Sequence, residues 1–176
     1  MNHYVIPARN HPKILAKLHR SEAKFFGNDC ARWDDTVGIP IMQSFNPSAL
    51  VEAARKVQKK IPLGENFTAG GVGAAILAKN RKIYTGICID LACGIGFCAE
   101  HAAIAEMLKD CETVIEAAVA VNENKILPPC GRCREMMLQI NPQNKDTKIV
   151  LSDTKIMTLD QLLPEHWLTE TGTKIT

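Results

Sequence analysis

Residues 113–140 read TVIEAAVAV NENKILPP CGRCREMMLQI. Thr113 to Val121 is an apolar, partly β-branched run, short enough for a buried strand. Pro128-Pro129 bars a helix from entering from upstream. Cys130 to Ile140 then reads as a helix, stopped by Asn141-Pro142. A buried strand followed by a helix is the unit of an α/β fold.

The same alternation extends in both directions. Upstream, Val72 to Leu77 and Lys82 to Ile89 read as strands joined by the turn around Lys79-Asn80-Arg81. Cys98 to Lys109 reads as a helix with Ala102, Ala105 and Leu108 among its apolar positions. Downstream come a strand at Lys148 to Leu151, a short one at Ile156 to Thr158 and a helical turn at Leu159 to Leu163. This order predicts a central sheet, mostly parallel in its later half, with helices on its faces. A helix after Asn46-Pro47-Ser48, with Leu50, Val51, Ala54 and Val57 facing inward, stops before Pro62. An earlier helix runs from Pro12 to near Gly27, with an apolar stripe of Ile14, Leu15, Leu18, Phe25 and Phe26. Residues 28–47 read as irregular, with Trp33 as a packing anchor. The expected organisation is an N-terminal extension over 1–47 and a core domain over 48–176.

With 176 residues, 46% of them hydrophobic, the chain can build a core without disulfide staples. The net charge of +2 and the 5% aromatic content disfavour a nucleic-acid groove, which needs a basic face and stacking rings. A small neutral substrate is expected instead. The N-terminal dozen residues have no apolar signal region, and the apolar runs are too short for a bilayer. The expected setting is therefore cytoplasmic, with no membrane partner. In that setting seven cysteines point to metal or to buried thiols before disulfides.

Three cysteines form a pattern. Cys130 and Cys133, three apart at a helix start, put both sulfurs on one face. Cys98 opens the earlier helix, after Gly94 and Gly96 have allowed a tight approach. Three thiolates hold zinc and leave its fourth position open, as catalysis requires. Glu100 is then the proton carrier for a water at that position. Two residues in a regular helix correspond to roughly 200° of rotation. Cys98 must therefore lie at or before the N-cap if both groups are to meet one ion. Three thiolates around Zn²⁺ leave a negative site, offset by helix N-termini and by a nearby cation. His101, Arg132 and Arg134 are the candidates, with Arg134 preferred as a donor to thiolate. Cys30, Cys88, Cys93 and Cys111 are read as small buried apolar residues. Two other readings remain open at this point. One is a closed structural zinc site with His101 or Cys93 as fourth ligand, and the other is a redox pair at Cys130 and Cys133.

Cys98-Ala99-Glu100 with Pro129-Cys130-Gly131-Arg132-Cys133-Arg134 resembles the zinc-dependent cytidine deaminase superfamily, in its three-cysteine, free-nucleoside branch. Val72-Gly73-Ala74-Ala75-Ile76, Tyr84-Thr85-Gly86 and Leu162-Leu163-Pro164 match family landmarks in order, so the resemblance spans about residues 65–168. Asn122-Glu123-Asn124 and the cysteine element look closest to the blasticidin S deaminase group. The resemblance implies a three-layer α/β/α sandwich around a mixed five-stranded sheet. It also implies a homo-oligomer, tetramer or dimer, with sites built across subunits. It implies a Zn²⁺ cofactor and a cytosine nucleoside or similar aminated heterocycle as substrate, with editing of a polynucleotide as the alternative. Glu100 would move protons from water to the ring N3 and to the leaving amine, and the backbone of Ala99 would bind the base. The substrate positions depart from the nucleoside enzymes. Gly70 stands where they carry Phe, Cys88 and Asp90 where they carry Asn and Glu, and Trp167 where they commonly carry a Phe near a neighbouring active site.

Overall fold

A computed structural model of the protein describes residues 45–170. The helix expected from Pro12 to Gly27, the anchor Trp33 and most of the 1–47 extension lie outside the described residues. Helix α1 spans Pro47–Val57. Asn46 caps it, its side-chain oxygen accepting from the backbone N–H groups of Ser48 and Ala49, and Pro47 fits the first turn because no donor is needed there. Leu50, Val51 and Ala54 are buried along one stripe.

The sheet contains β1 (Ile61–Pro62), β2 (Thr68–Ala78), β3 (Ile83–Asp90), β4 (Ile115–Asn122), β5 (Lys125–Leu127), β6 (Lys148–Val150) and β7 (Ile156–Thr158). Its body is five strands wide in the order β3-β2-β4-β6-β7, with short β1 beside β2 and short β5 beside β4. Around it lie α2 (Ala99–Lys109), α3 (Gly131–Ile140), α4 (Leu159–Leu162) and α5 (Trp167–Glu170).

One expectation fails here. The later half of the sheet is not mostly parallel: β4 with β6 is the one parallel pairing among the described strands. β5 follows β4 through a tight turn, with Glu123 at φ 52, and β7 follows β6 after a short loop; connections so short return the chain antiparallel. Two helices carry crossovers, α2 from β3 over β2 to β4 and α3 from β4 to β6, and the second alone joins strands that are neighbours in the sheet.

Period-two alternation sorts the layers. Ala75 and Leu77 of β2, with Ala117, Val119 and Val121 of β4, pack on Leu50, Val51 and Ala54 of α1. Ile76, Ala78 and Ala118 face the other way, onto Ala103, Ile104 and Met107 of α2 and Met137 and Leu138 of α3. That is the three-layer sandwich. Two glycines set how closely the helices approach. A Cβ at Gly73 would lie 2.3 Å from the Ala54 carbonyl oxygen of α1, and one at Gly86 would lie 2.5 Å from the Ala99 carbonyl oxygen of α2. Gly86 thus seats the first turn of α2, the turn that carries Glu100, directly on β3.

Candidate active site

Cys98 is the N-cap of α2, in extended backbone at φ −72 and ψ 154, and its side chain makes no capping bond. Cys130 caps α3 in the same way, at φ −66 and ψ 166, after Pro128-Pro129. Cys133 lies in the first turn of α3 and is fully buried. The sulfur of Cys130 lies 3.7 Å from that of Cys98 and 3.3 Å from that of Cys133, and all three are mutually within 4.8 Å. A tetrahedral zinc at about 2.3 Å from each sulfur would hold them about 3.8 Å apart, so the spacing fits the ion. No fourth side chain joins the group among the described residues, neither His101 nor Cys93. That leaves the open position a closed structural site would lack.

Electrostatics makes the same point. Burial pushes the Cys98 thiol above its ordinary range, with the neighbouring Cys130 adding to the shift. Burial pushes Cys133 up further still, and the charge of Glu100 adds to it. Burial also acts upward on Cys130, but the Cys133 backbone N–H and the adjoining thiols hold it below the usual value. Three sulfurs this close, two of them disfavoured as anions, are a donor set that a divalent cation stabilises as thiolates.

Glu100 is 5% exposed. Burial raises its carboxyl pKa, while its own backbone N–H and the Cys133 thiol act the other way. Because Cys98 lies outside the helical turn, Cys98 and Glu100 reach the same space despite their spacing. That space is a cavity of about 630 Å³ whose lining includes Cys98, Ala99, Glu100, Cys130 and Arg132 together with Cys88 and Asp90. Cys88 Sγ accepts from the Val72 N–H at 3.2 Å and lies 3.5 Å from Asp90 Oδ2, which also accepts from the Thr68 hydroxyl at 3.5 Å.

Other expected residues lie elsewhere. Arg134 donates to the carbonyls of Pro129 at 2.8 Å and Leu162 at 2.9 Å, so it braces the loop that presents Cys130 and is not a donor to sulfur. Burial, then the charge of Arg132, lowers the His101 pKa, which disfavours its charged form. Its buried Nε2 has no hydrogen-bond partner. Trp167 is 64% exposed and does not line the cavity; its backbone N–H donates to Glu135. Gly94 has open space around it and φ +67, so it serves by its backbone conformation. The tight approach is made by Gly96, where a Cβ would lie 2.1 Å from the Ile89 carbonyl oxygen. Cys93 is exposed, and Cys111 is exposed and disulfide-bonded; of the described leftover cysteines only Cys88 is buried. Phe67, Phe97 and Leu127 also line the cavity and were not singled out by motif reading, although Phe97 directly precedes Cys98.

The cytidine and deoxycytidylate deaminase zinc-binding region matches residues 46–149, more than half of the chain. The chain belongs to this family. The match begins at residue 46, so it takes in α1, which the motif resemblance starting near residue 65 did not. The chain is 33% identical over 105 residues to a cytidine deaminase from Halalkalibacterium halodurans, covering 56% of this chain and 78% of that one. It is similar in structure to cytidine deaminases from Mycobacterium tuberculosis (26% identical, 68% of this chain and 95% of that one, TM-score 0.58) and Burkholderia pseudomallei (26% identical, 70% and 100%, TM-score 0.58). As a member of the deaminase family with a fitting donor set, the protein is a zinc-dependent hydrolytic deaminase.

Proposed function

We propose that the protein releases ammonia from a cytosine nucleoside or a closely similar aminated heterocycle, with Cys98, Cys130 and Cys133 holding zinc and Glu100 carrying the protons. The observation that supports this is that the three sulfurs converge and that two of them, with the buried Glu100 carboxylate, line a single nucleoside-sized cavity. Zinc, when bound, supplies the Lewis acidity that makes water nucleophilic at neutral pH. The carboxylate of Glu100 takes a proton from the attacking water and delivers it to ring N3. A second proton from the water passes through the same carboxylate to the exocyclic amine. The C4–N bond then breaks, ammonia leaves, and a carbonyl remains at C4. Burial lets Glu100 hold a proton between these steps. Backbone groups of Ala99 and around Cys130 orient the base.

Asp90, in the wall of the same cavity, accepts from a substrate hydroxyl. Cys88 is occupied by the Val72 N–H and steadies Asp90. Positive charge near the thiolates comes from the two helix N-termini and from Arg132, which lines the cavity. The working form is a homo-oligomer, consistent with Ile95 at 73% and Trp167 at 64% exposure, apolar surface that association would cover. The free thiols of the site suit a reducing, cytoplasmic setting, against which the disulfide at Cys111 stands. No described helix is long and apolar enough to cross a membrane.

Ammonia release measured on cytidine, deoxycytidine and blasticidin S, alongside zinc content, tests the proposal. Turnover of at least one of them by zinc-loaded protein, lost on chelation, is expected. Zinc-loaded protein inert toward all three would refute it.

A further inference from the structure

Resting on the deaminase reading, we infer that Phe97 and Phe67 form the flat seat on which the substrate's ring stacks. A planar heterocycle is held in register by a flat apolar surface as well as by hydrogen bonds at its edges. The cavity wall contains two aromatic side chains, Phe67 and Phe97; its other apolar members are aliphatic or small. Both rings keep apolar surface uncovered, Phe67 38% exposed and Phe97 36%.

Each ring stands on backbone that is already fixed. Phe97 exchanges two hydrogen bonds with Ile89, both 3.0 Å, an approach that only glycine at position 96 permits. It immediately precedes Cys98, and both residues line the cavity. The Phe67 carbonyl accepts from the Leu63 N–H at 2.9 Å, and its neighbour Thr68 donates to Asp90. Both rings thus belong to the same cavity wall as Glu100 and Asp90. Another candidate stacking position on β2 is closed. Gly70 has φ +72, and a Cβ there would lie 2.1 Å from the Lys59 carbonyl oxygen, so no ring can project from it.

The test uses zinc-loaded full-length Phe97→Ala, Phe67→Ala, Phe97→Leu and Phe97→Trp variants. Two readouts are taken: steady-state deamination of cytidine, and binding of uridine, which cannot be deaminated, by calorimetry. Each alanine variant should keep its zinc and raise cytidine KM and uridine Kd by about 5- to 100-fold, with kcat changed much less. Phe97→Leu, which keeps apolar bulk but not the flat face, should fall between, and Phe97→Trp should bind as tightly as wild type. KM and Kd of both alanine variants within about twofold of wild type would overturn the inference. A Phe97→Leu variant indistinguishable from wild type would also overturn it, since bulk alone would then suffice. If wild-type protein binds uridine but deaminates no cytosine compound, the underlying function fails, while the binding series still judges the stacking.

Discussion

Two buried polar clusters in this molecule are built in opposite ways. Asn144 is fully buried, and its side chain is fully engaged. Oδ1 accepts from the Ile115 N–H at 2.8 Å, and Nδ2 donates to the carbonyls of Thr113 and Met137. Beside it the Thr147 hydroxyl donates to the Ile115 carbonyl at 2.8 Å. This clasp ties α3, the start of β4 and the approach to β6 together, and every demand is met within the chain. At the mouth of the other cluster, three sulfurs crowd one another, burial raises the Glu100 carboxyl, and His101 Nε2 is left without a partner. Buried polar groups cost stability unless satisfied. The difference separates a cluster that serves the fold from one whose partners are a cation and a substrate.

Substitutions should break this contrast along its own line. Cys133→Ser removes the most buried ligand, and the largest expected effect is loss of zinc by metal analysis, with ammonia release falling to background. Asn144→Leu should do the reverse. It orphans the Ile115 N–H and two carbonyls, which costs about 3 kcal/mol in a denaturant titration, while zinc content and turnover per folded molecule stay at wild-type values.

The smallest effect concerns acid. The Tyr84 hydroxyl, donating at 2.8 Å, and then Lys82 hold the exposed Asp110 carboxyl below its usual value. The folded state therefore binds fewer protons than the unfolded chain near the ordinary carboxylate pKa of about 4. The resulting stabilisation is present above that pH and fades as pH falls through the folded-state value. Tyr84→Phe should flatten the acid side of the stability–pH curve slightly and leave the neutral region's slope unchanged.

Much of the fold was legible because burial writes itself into pattern. β4 lies between two helical layers, so the unbroken apolar run at 117–121 marked it without any alternation. The helix starts were equally plain, since Pro47 and Pro128-Pro129 restrict where a helix can begin. Strand direction was not legible. β5 has three residues wedged between a turn and the two prolines, too short for any period, so the hairpin that makes this part of the sheet antiparallel went unread. At the site, cysteine spacing revealed the convergence of sulfurs because it is a local constraint of helix geometry. Arg134 was read toward sulfur, whereas its described partners are the carbonyls of Pro129 and Leu162, the second too far along the chain for local spacing to encode. Phe97 was overlooked for the opposite reason: its meaning comes from the Ile89 pairing across β3, which no spacing within its own segment encodes.

Glu100→Gln, assayed for zinc content and ammonia release on the same preparation, tests the central claim most directly. Cys98, Cys130 and Cys133 are untouched, so zinc should remain at the wild-type level. Turnover of cytidine should fall by roughly 10²-fold or more for want of the proton carrier. Zinc retained with turnover undiminished would contradict the account.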